Sequence, residues 1–236
     1  MKKKGKALLL CTGAVALVAG SVFGTIAFLT DTEEAINTFT IGNVSISIAE
    51  SKVDENGVPV GEETTDANEY RLVPGVTYTK DPTVTVDAES EESYVRMILN
   101  IYNKTEVQAI IDDKTHGLTD YADLINWDKD TSDWLYEGFT LDEENDIISF
   151  EFRYKEIVDG YVLNSETQLE EASDVELQPL FTELIVPGTL TNTELENLYN
   201  GGFKIIVEGQ AIQATGFTGE NAEDDAWEAF DKQHNS

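Results

Sequence analysis

Basic residues, cysteine and histidine are all scarce in this chain of 236 residues, and each shortage removes a class of function. Fifteen Lys and Arg face 46 Asp and Glu, a formal net charge of −31. Phosphate backbones are bound by basic surface, so nucleic acid is excluded as a partner. The single cysteine, Cys11, lies in an apolar run near the N-terminus. The rest of the chain therefore has neither a disulfide framework nor thiolate metal ligands. Only two histidines are present, His116 and His234, and no His-Glu-x-x-His pair exists. This argues against a zincin-type protease. There is no Gly-rich phosphate loop and no nucleophile elbow, and with 46 carboxylates chance acid pairs carry no information. No catalytic or cofactor-binding residue is assigned. No repeat, long linker or shift in composition divides the chain.

The N-terminus is the most specific feature present. Lys2, Lys3, Lys4 and Lys6 precede an uncharged run from Ala7 to Thr30. A basic cluster before an apolar run is an export address. About 20 residues suffice to span a bilayer, so a retained anchor is the alternative. Thr25-Ile26-Ala27 offers small side chains at the −3 and −1 positions, which places signal-peptidase cleavage between Ala27 and Phe28. A lipoprotein reading fails, because Leu10 precedes Cys11 and the apolar stretch before it is short. Removing residues 1–27 takes four of the 15 bases and no acid, leaving 46 acids against 11 bases, a net charge of −35. Export without cysteine suits a Gram-positive exterior. So strong an excess of one sign favours association only where cations screen or bridge it.

Beyond the leader, strand patterns dominate. Val44, Ile46 and Ile48 alternate with polar residues, as do Val95, Met97, Leu99 and Ile101, and Ile148, Phe150, Phe152 and Tyr154. Residues 76–86, 134–141, 177–186 and 203–214 read as further strands. Residues 50–69 read as a hairpin tip or mobile loop, since Asn56-Gly57, Pro59 and Gly61 punctuate them. Short helices are expected over 106–113 and 120–125. Another starts at a Thr193/Glu196 capping box and ends at Asn200-Gly201-Gly202, and an acidic amphipathic helix covers 220–232. The sum is an all-β fold, a jelly-roll-like β-sandwich with a few short inserted helices and a C-terminal helix. Its expected organisation is a signal peptide (1–27), an N-terminal segment (28–40) and one sandwich domain (41–236).

Asp128, Asp130 and Thr131-Ser132-Asp133 start like an EF-hand loop. It fails where Asp133 replaces the glycine and Phe139 the bidentate glutamate. Asp142-Glu143-Glu144-Asn145-Asp146 has no defined geometry either, so no metal site is assigned and calcium is expected only as a diffuse bridge between acidic surfaces. His116, in a Lys-Thr-His-Gly turn, reads as a solvated loop residue. Trp127 and Trp134, with Tyr121 and Tyr136, form either a carbohydrate-binding platform or ordinary sandwich packing.

Two blocks carry a family resemblance. Gly24-Thr25-Ile26-Ala27-Phe28-Leu29-Thr30-Asp31, followed by Asn37-Thr38-Phe39-Thr40-Ile41-Gly42-Asn43-Val44, resembles the TasA/camelysin family of exported biofilm-matrix proteins processed by a SipW-type signal peptidase. Leu72-Val73-Pro74-Gly75-Val76-Thr77-Tyr78-Thr79-Lys80 is similar to that family's turn into a long strand, and residues 203–230 are similar to SipW-associated proteins. The match is strong at both ends and weak over 103–176. The resemblance implies a secreted, self-associating jelly-roll subunit of an extracellular matrix fibre, in contact with the membrane only through its signal peptide. It also implies a donor strand, Phe28 to Phe39, completing the sheet of a neighbour through Phe28, Ala35, Ile36 and Phe39. The charged and polar residues Glu33, Glu34 and Asn37 interrupt its alternation, so a simple lead into the chain's own first strand stays open. The alternatives are a monomeric cell-surface module binding glycan or matrix protein and, further off, a camelysin-like metallopeptidase.

Overall fold

The computed structural model describes residues 30–33, 43–54, 56–65, 68, 70 and 72–234. The signal peptide, the Ala27–Phe28 junction and the donor residues Phe28, Ala35, Ile36 and Phe39 lie outside the described residues.

Alternation builds two antiparallel sheets that face each other. One has five strands in the order β1 (Thr30–Glu33), β13 (Ile205–Gln213), β6 (Ser93–Tyr102), β8 (Ile147–Tyr154) and β7 (Trp134–Asp142). The other has the order β11 (Val175–Glu176), β5 (Thr83–Val86), β2 (Ile46–Val53) and β3 (Pro59–Thr65). Two small pairs, β4 (Thr77–Thr79) with β12 (Glu183–Ile185) and β9 (Tyr161–Leu163) with β10 (Glu170–Ala172), complete a β-sandwich with three helices. The sheets meet over Gly209. A Cβ there would sit 3.1 Å from Val84 Cγ2 and 3.4 Å from Ile46 Cδ1, so a bare backbone sets how closely they approach. Val95, Met97, Leu99 and Ile101 of β6 bury into this core opposite Val84 and Val86.

The outer face of β6 is covered too. Helix α3 (Ala222–His234) lays Ala226, Trp227 and Phe230 against Ile212. Arg96, 5% exposed, is held beneath it. Its guanidinium lies 4.3 Å from the Trp227 ring and 5.1 Å from the Phe230 ring, donates to Gln210 Oε1 at 2.7 Å, and pairs with Asp231.

Helices α1 (Lys104–Asp112) and α2 (Asn192–Asn200) close one end of the core with Val107, Ile110, Ile111 and Leu198. The cap on α1 comes from far along the chain: Asp146 Oδ1, in the β7–β8 turn, accepts from Thr105 N at 3.1 Å and Thr105 Oγ1 at 2.6 Å.

Several sequence expectations shift. The capping box of α2 is Thr191/Glu194, not Thr193/Glu196. Residues 76–86 form two strands, because Pro82 has no N–H to continue a ladder. The expected helix over 120–125 is one 3₁₀ turn, Tyr121–Leu124, and the polar stretch after Glu50 contains β3 in a bulged hairpin with β2. His116 is not a solvated loop residue: its side chain is 2% exposed.

Candidate assembly surface

The five-stranded sheet ends in two different edges. At one, β1 pairs antiparallel with β13 in the register Thr30↔Ile212, Asp31↔Ala211, Thr32↔Gln210 and Glu33↔Gly209. These four residues end and immediately follow the uncharged N-terminal run, inside the segment expected to act as a donor, and here they add to the sheet of their own chain. Strand β13 begins four residues earlier. Along Ile205 to Val207 no strand runs on its outer side among the described residues. Such a stretch offers main-chain N–H and C=O groups to another strand.

Beside it opens a cleft of about 790 Å³ between the start of β13, β12 and α2, with Leu72, Leu184, Leu195, Phe203 and Ile205 as its apolar wall. Tyr199, 86% exposed, stands at its rim. The floor carries a buried ion pair, in which Lys80 Nζ donates to Glu50 Oε2 at 2.6 Å. Glu50 Oε1 accepts from Asn68 N at 3.1 Å and Asn68 Nδ2 at 3.0 Å. Burial, then the Glu50 charge, pushes the Tyr70 phenol well above its ordinary range, so it stays a donor, to Thr79 O at 3.0 Å. A strand edge beside apolar sockets is the geometry that receives an extended peptide.

The other edge is β7. Leu135, Tyr136, Phe139 and Leu141 are between 43% and 57% exposed, an unusual apolar load for an edge strand. A bulge between Tyr136 and Gly138 disturbs its pairing with β8, and Gly138 takes φ 148, open to glycine alone without strain. Beyond the bulge, Phe139 to Asp142 return to regular register.

Under β7 the aromatic residues sort themselves. Trp134 is fully buried, its Nε1 donating to Gln178 O at 2.7 Å, so it shares no platform with Trp127. Trp127, Tyr121 and Tyr136 do come together. They line a cleft of about 250 Å³ with Phe150 and Phe152, where Trp127 meets Phe152 at 5.4 Å and Tyr121 meets Phe150 at 5.5 Å. The Tyr121 phenol is pushed up to about 12 by burial and by Asp112, Asp146 and Asp120.

The acidic loops turn their oxygens inward. Asp128 Oδ1 accepts from Asp130 N at 2.9 Å and Asp133 pairs with Lys155. Asp142 takes Asn145 Nδ2 at 2.7 Å and Asn145 N at 3.0 Å. These carboxylates stabilise turns. Within the described residues no helix is long and apolar enough to cross a membrane. No family model matches the chain, and neither a curated protein nor a solved structure is significantly similar to it.

Proposed function

We propose that the chain is an exported structural subunit of an extracellular matrix fibre, of the TasA/camelysin kind, released by a SipW-type signal peptidase and joined to its neighbours by strand addition. One observation carries this reading: the strand at the end of the apolar run, β1, occupies the outer edge of β13 from Gly209 to Ile212. Main-chain hydrogen bonds are indifferent to which copy supplies the strand, so the same register pairs form when β1 of one subunit docks on β13 of the next. Such an exchange is heterologous, and a heterologous contact that does not close propagates into a filament. The cleft beside Ile205 gives the incoming segment apolar sockets, and β7, at the far end of the same sheet, gives a second contact face.

Electron microscopy tests the proposal with a chain that begins at Phe28. Filaments are expected, promoted by calcium or salt that screens a net charge of −35. Deleting residues 28–39 removes the donor and should leave a folded monomer. Normal polymerisation of the truncated chain would refute strand donation by this segment.

A further inference from the structure

Three side chains from two stretches of the chain converge where α1 ends and α2 begins. Asp113 caps a 3₁₀ turn, Lys114–His116, and Glu194 belongs to the capping box of α2. His116 Nε2 lies 2.9 Å from Glu194 Oε1 and 3.8 Å from Asp113 Oδ2. All three potential ligand atoms fall within 4.8 Å of one another.

Each group is aimed by a hydrogen bond on its other atom. His116 Nδ1 lies 2.8 Å from Thr189 Oγ1. Glu194 Oε2 accepts from Thr191 N at 2.7 Å and Thr191 Oγ1 at 2.8 Å. Asp113 Oδ1 accepts from Thr115 N at 2.9 Å. Nε2, Oε1 and Oδ2 are thus left pointing at one another, the outer-shell pattern that orients metal ligands. With metal–ligand bonds of about 2.0–2.1 Å, a tetrahedral site holds its ligand atoms about 3.3 Å apart. The two distances from Nε2 bracket that value.

We propose that Asp113, His116 and Glu194 bind one divalent transition-metal ion, with Zn²⁺ the best match, and leave its remaining positions open to solvent. Imidazole with two carboxylates suits zinc, whereas calcium takes six to eight oxygens and has no use for the ring nitrogen. The Asp113 side chain is 48% exposed and that of Glu194 22%, so an ion reaches the site without an opening of the fold. The His116–Glu194 hydrogen bond does not involve Asp113, whose Oδ2 lies 3.8 Å from Nε2, beyond hydrogen-bond reach.

Asp113 therefore discriminates. Asp113→Asn keeps the cap on the 3₁₀ turn and removes a charged ligand. The full chain, in non-ionic detergent and stripped of metal with chelator, is titrated calorimetrically with ZnCl₂ at neutral pH. Excess CaCl₂ occupies the general acidic surface. One saturable zinc per chain is expected. D113N should weaken binding by about tenfold or more in a chain that still melts cooperatively without metal, and His116→Gln should abolish it. Zinc binding by D113N equal to that of the parent chain, or no saturable zinc in the parent, overturns the proposal even if H116Q does not fold.

Discussion

Replacing Lys80 by Met tests whether the ion pair under the cleft is a buried charge pair in the energetic sense. Side chains of Lys80 and Glu50 are 8% and 5% exposed, and Nζ–Oε2 is 2.6 Å. Methionine keeps the length of the stem and removes the ammonium, so packing changes little. Glu50 then keeps two amide bonds from Asn68 but faces no cation. An uncompensated buried charge of this kind costs about 3–5 kcal/mol, a large part of the ~5–15 kcal/mol that holds a domain folded. Pairing Lys80→Met with Glu50→Leu removes both charges. The half-buried Asn68 side chain keeps its bonds to Ser51 O at 2.8 Å and from Val53 N at 2.9 Å, so only Asn68 N and one amide hydrogen lose a partner. That loss costs about 1–2 kcal/mol, and the apolar pair offsets some of it. Urea unfolding followed by tryptophan fluorescence should show K80M several kcal/mol below the parent and the double variant within about 2 kcal/mol of it, at constant m. Two results would refute the reasoning. A K80M cost below about 1 kcal/mol means that water screens the pair as at a surface. A double variant as unstable as K80M means that the stranded carboxylate is not the cause.

Stability should also fall on acidification. Asp123 accepts from Thr119 N at 2.6 Å, Thr119 Oγ1 at 2.8 Å and Asp120 N at 3.1 Å, which holds its carboxyl below the ordinary range, and Asp113, Asp142 and Glu194 are lowered by similar bonds. A lowered folded value stabilises fully above the unfolded value near about 4 and is lost as pH falls through the folded value. Half-buried Glu223 is raised by desolvation and has the opposite sign, its stabilisation being lost as pH rises, so the lowered group dominates the acid limb. Urea midpoints of Asp123→Asn and the parent should differ at pH 7 and converge as pH falls through the lowered folded value, and a gap independent of pH would show that ionisation is not its source. At the β7 edge, Phe139→Lys should change stability by no more than about 0.5 kcal/mol, because the ring is 57% exposed, yet reduce self-association. Sedimentation velocity measures this, and unchanged association would remove β7 from the assembly surface.

Where a strand buries one face, the sequence announces it. The alternation of Val95, Met97, Leu99 and Ile101 in β6 and of Ile148 and Phe152 in β8 survives into the structure because these residues pack into the core. Strands β9 and β10 are exposed at all six positions, so nothing imposes a period and the middle of the chain stays silent. The start of α2 shows a different limit. Thr191-x-x-Glu194 and Thr193-x-x-Glu196 are equal capping frames by local spacing, and His116, distant in sequence, contacts Glu194. Glu50 was hidden by its charge. The alternation of Ile46 and Ile48 carries on to it, so it points inward like them, and only the arrival of Lys80 from another strand makes that tolerable. The zinc ligands share this opacity, since no two of them are closer than three residues and one is on a different helix.

The charge imbalance bears directly on how copies could meet. After residue 27 the chain has 11 basic residues, and eight of them hold a carboxylate within 4.0 Å: Lys52, Lys80, Arg96, Lys104, Lys129, Arg153, Lys155 and Lys232. Of the others, Lys204 lies 3.9 Å from the Tyr102 ring and Lys114 donates to Ile111 O. Among the described residues the cations are thus engaged within the subunit, and acids dominate the surface. Contacts between subunits built on complementary charge are disfavoured for such a protein, because most approaches bring acid against acid. What remains are contacts that need no charge, namely main-chain edges and apolar side chains. Both ends of the five-stranded sheet supply these: seven residues of β7, Leu135 to Leu141, contain one charge, and Ile205 to Val207 of β13 contain none. The repulsion around these neutral strips decays over about 10 Å at 0.1 M salt. Association through them must therefore strengthen as ionic strength rises, whereas a fibre held by salt bridges would weaken, and the sign of that dependence separates the two designs.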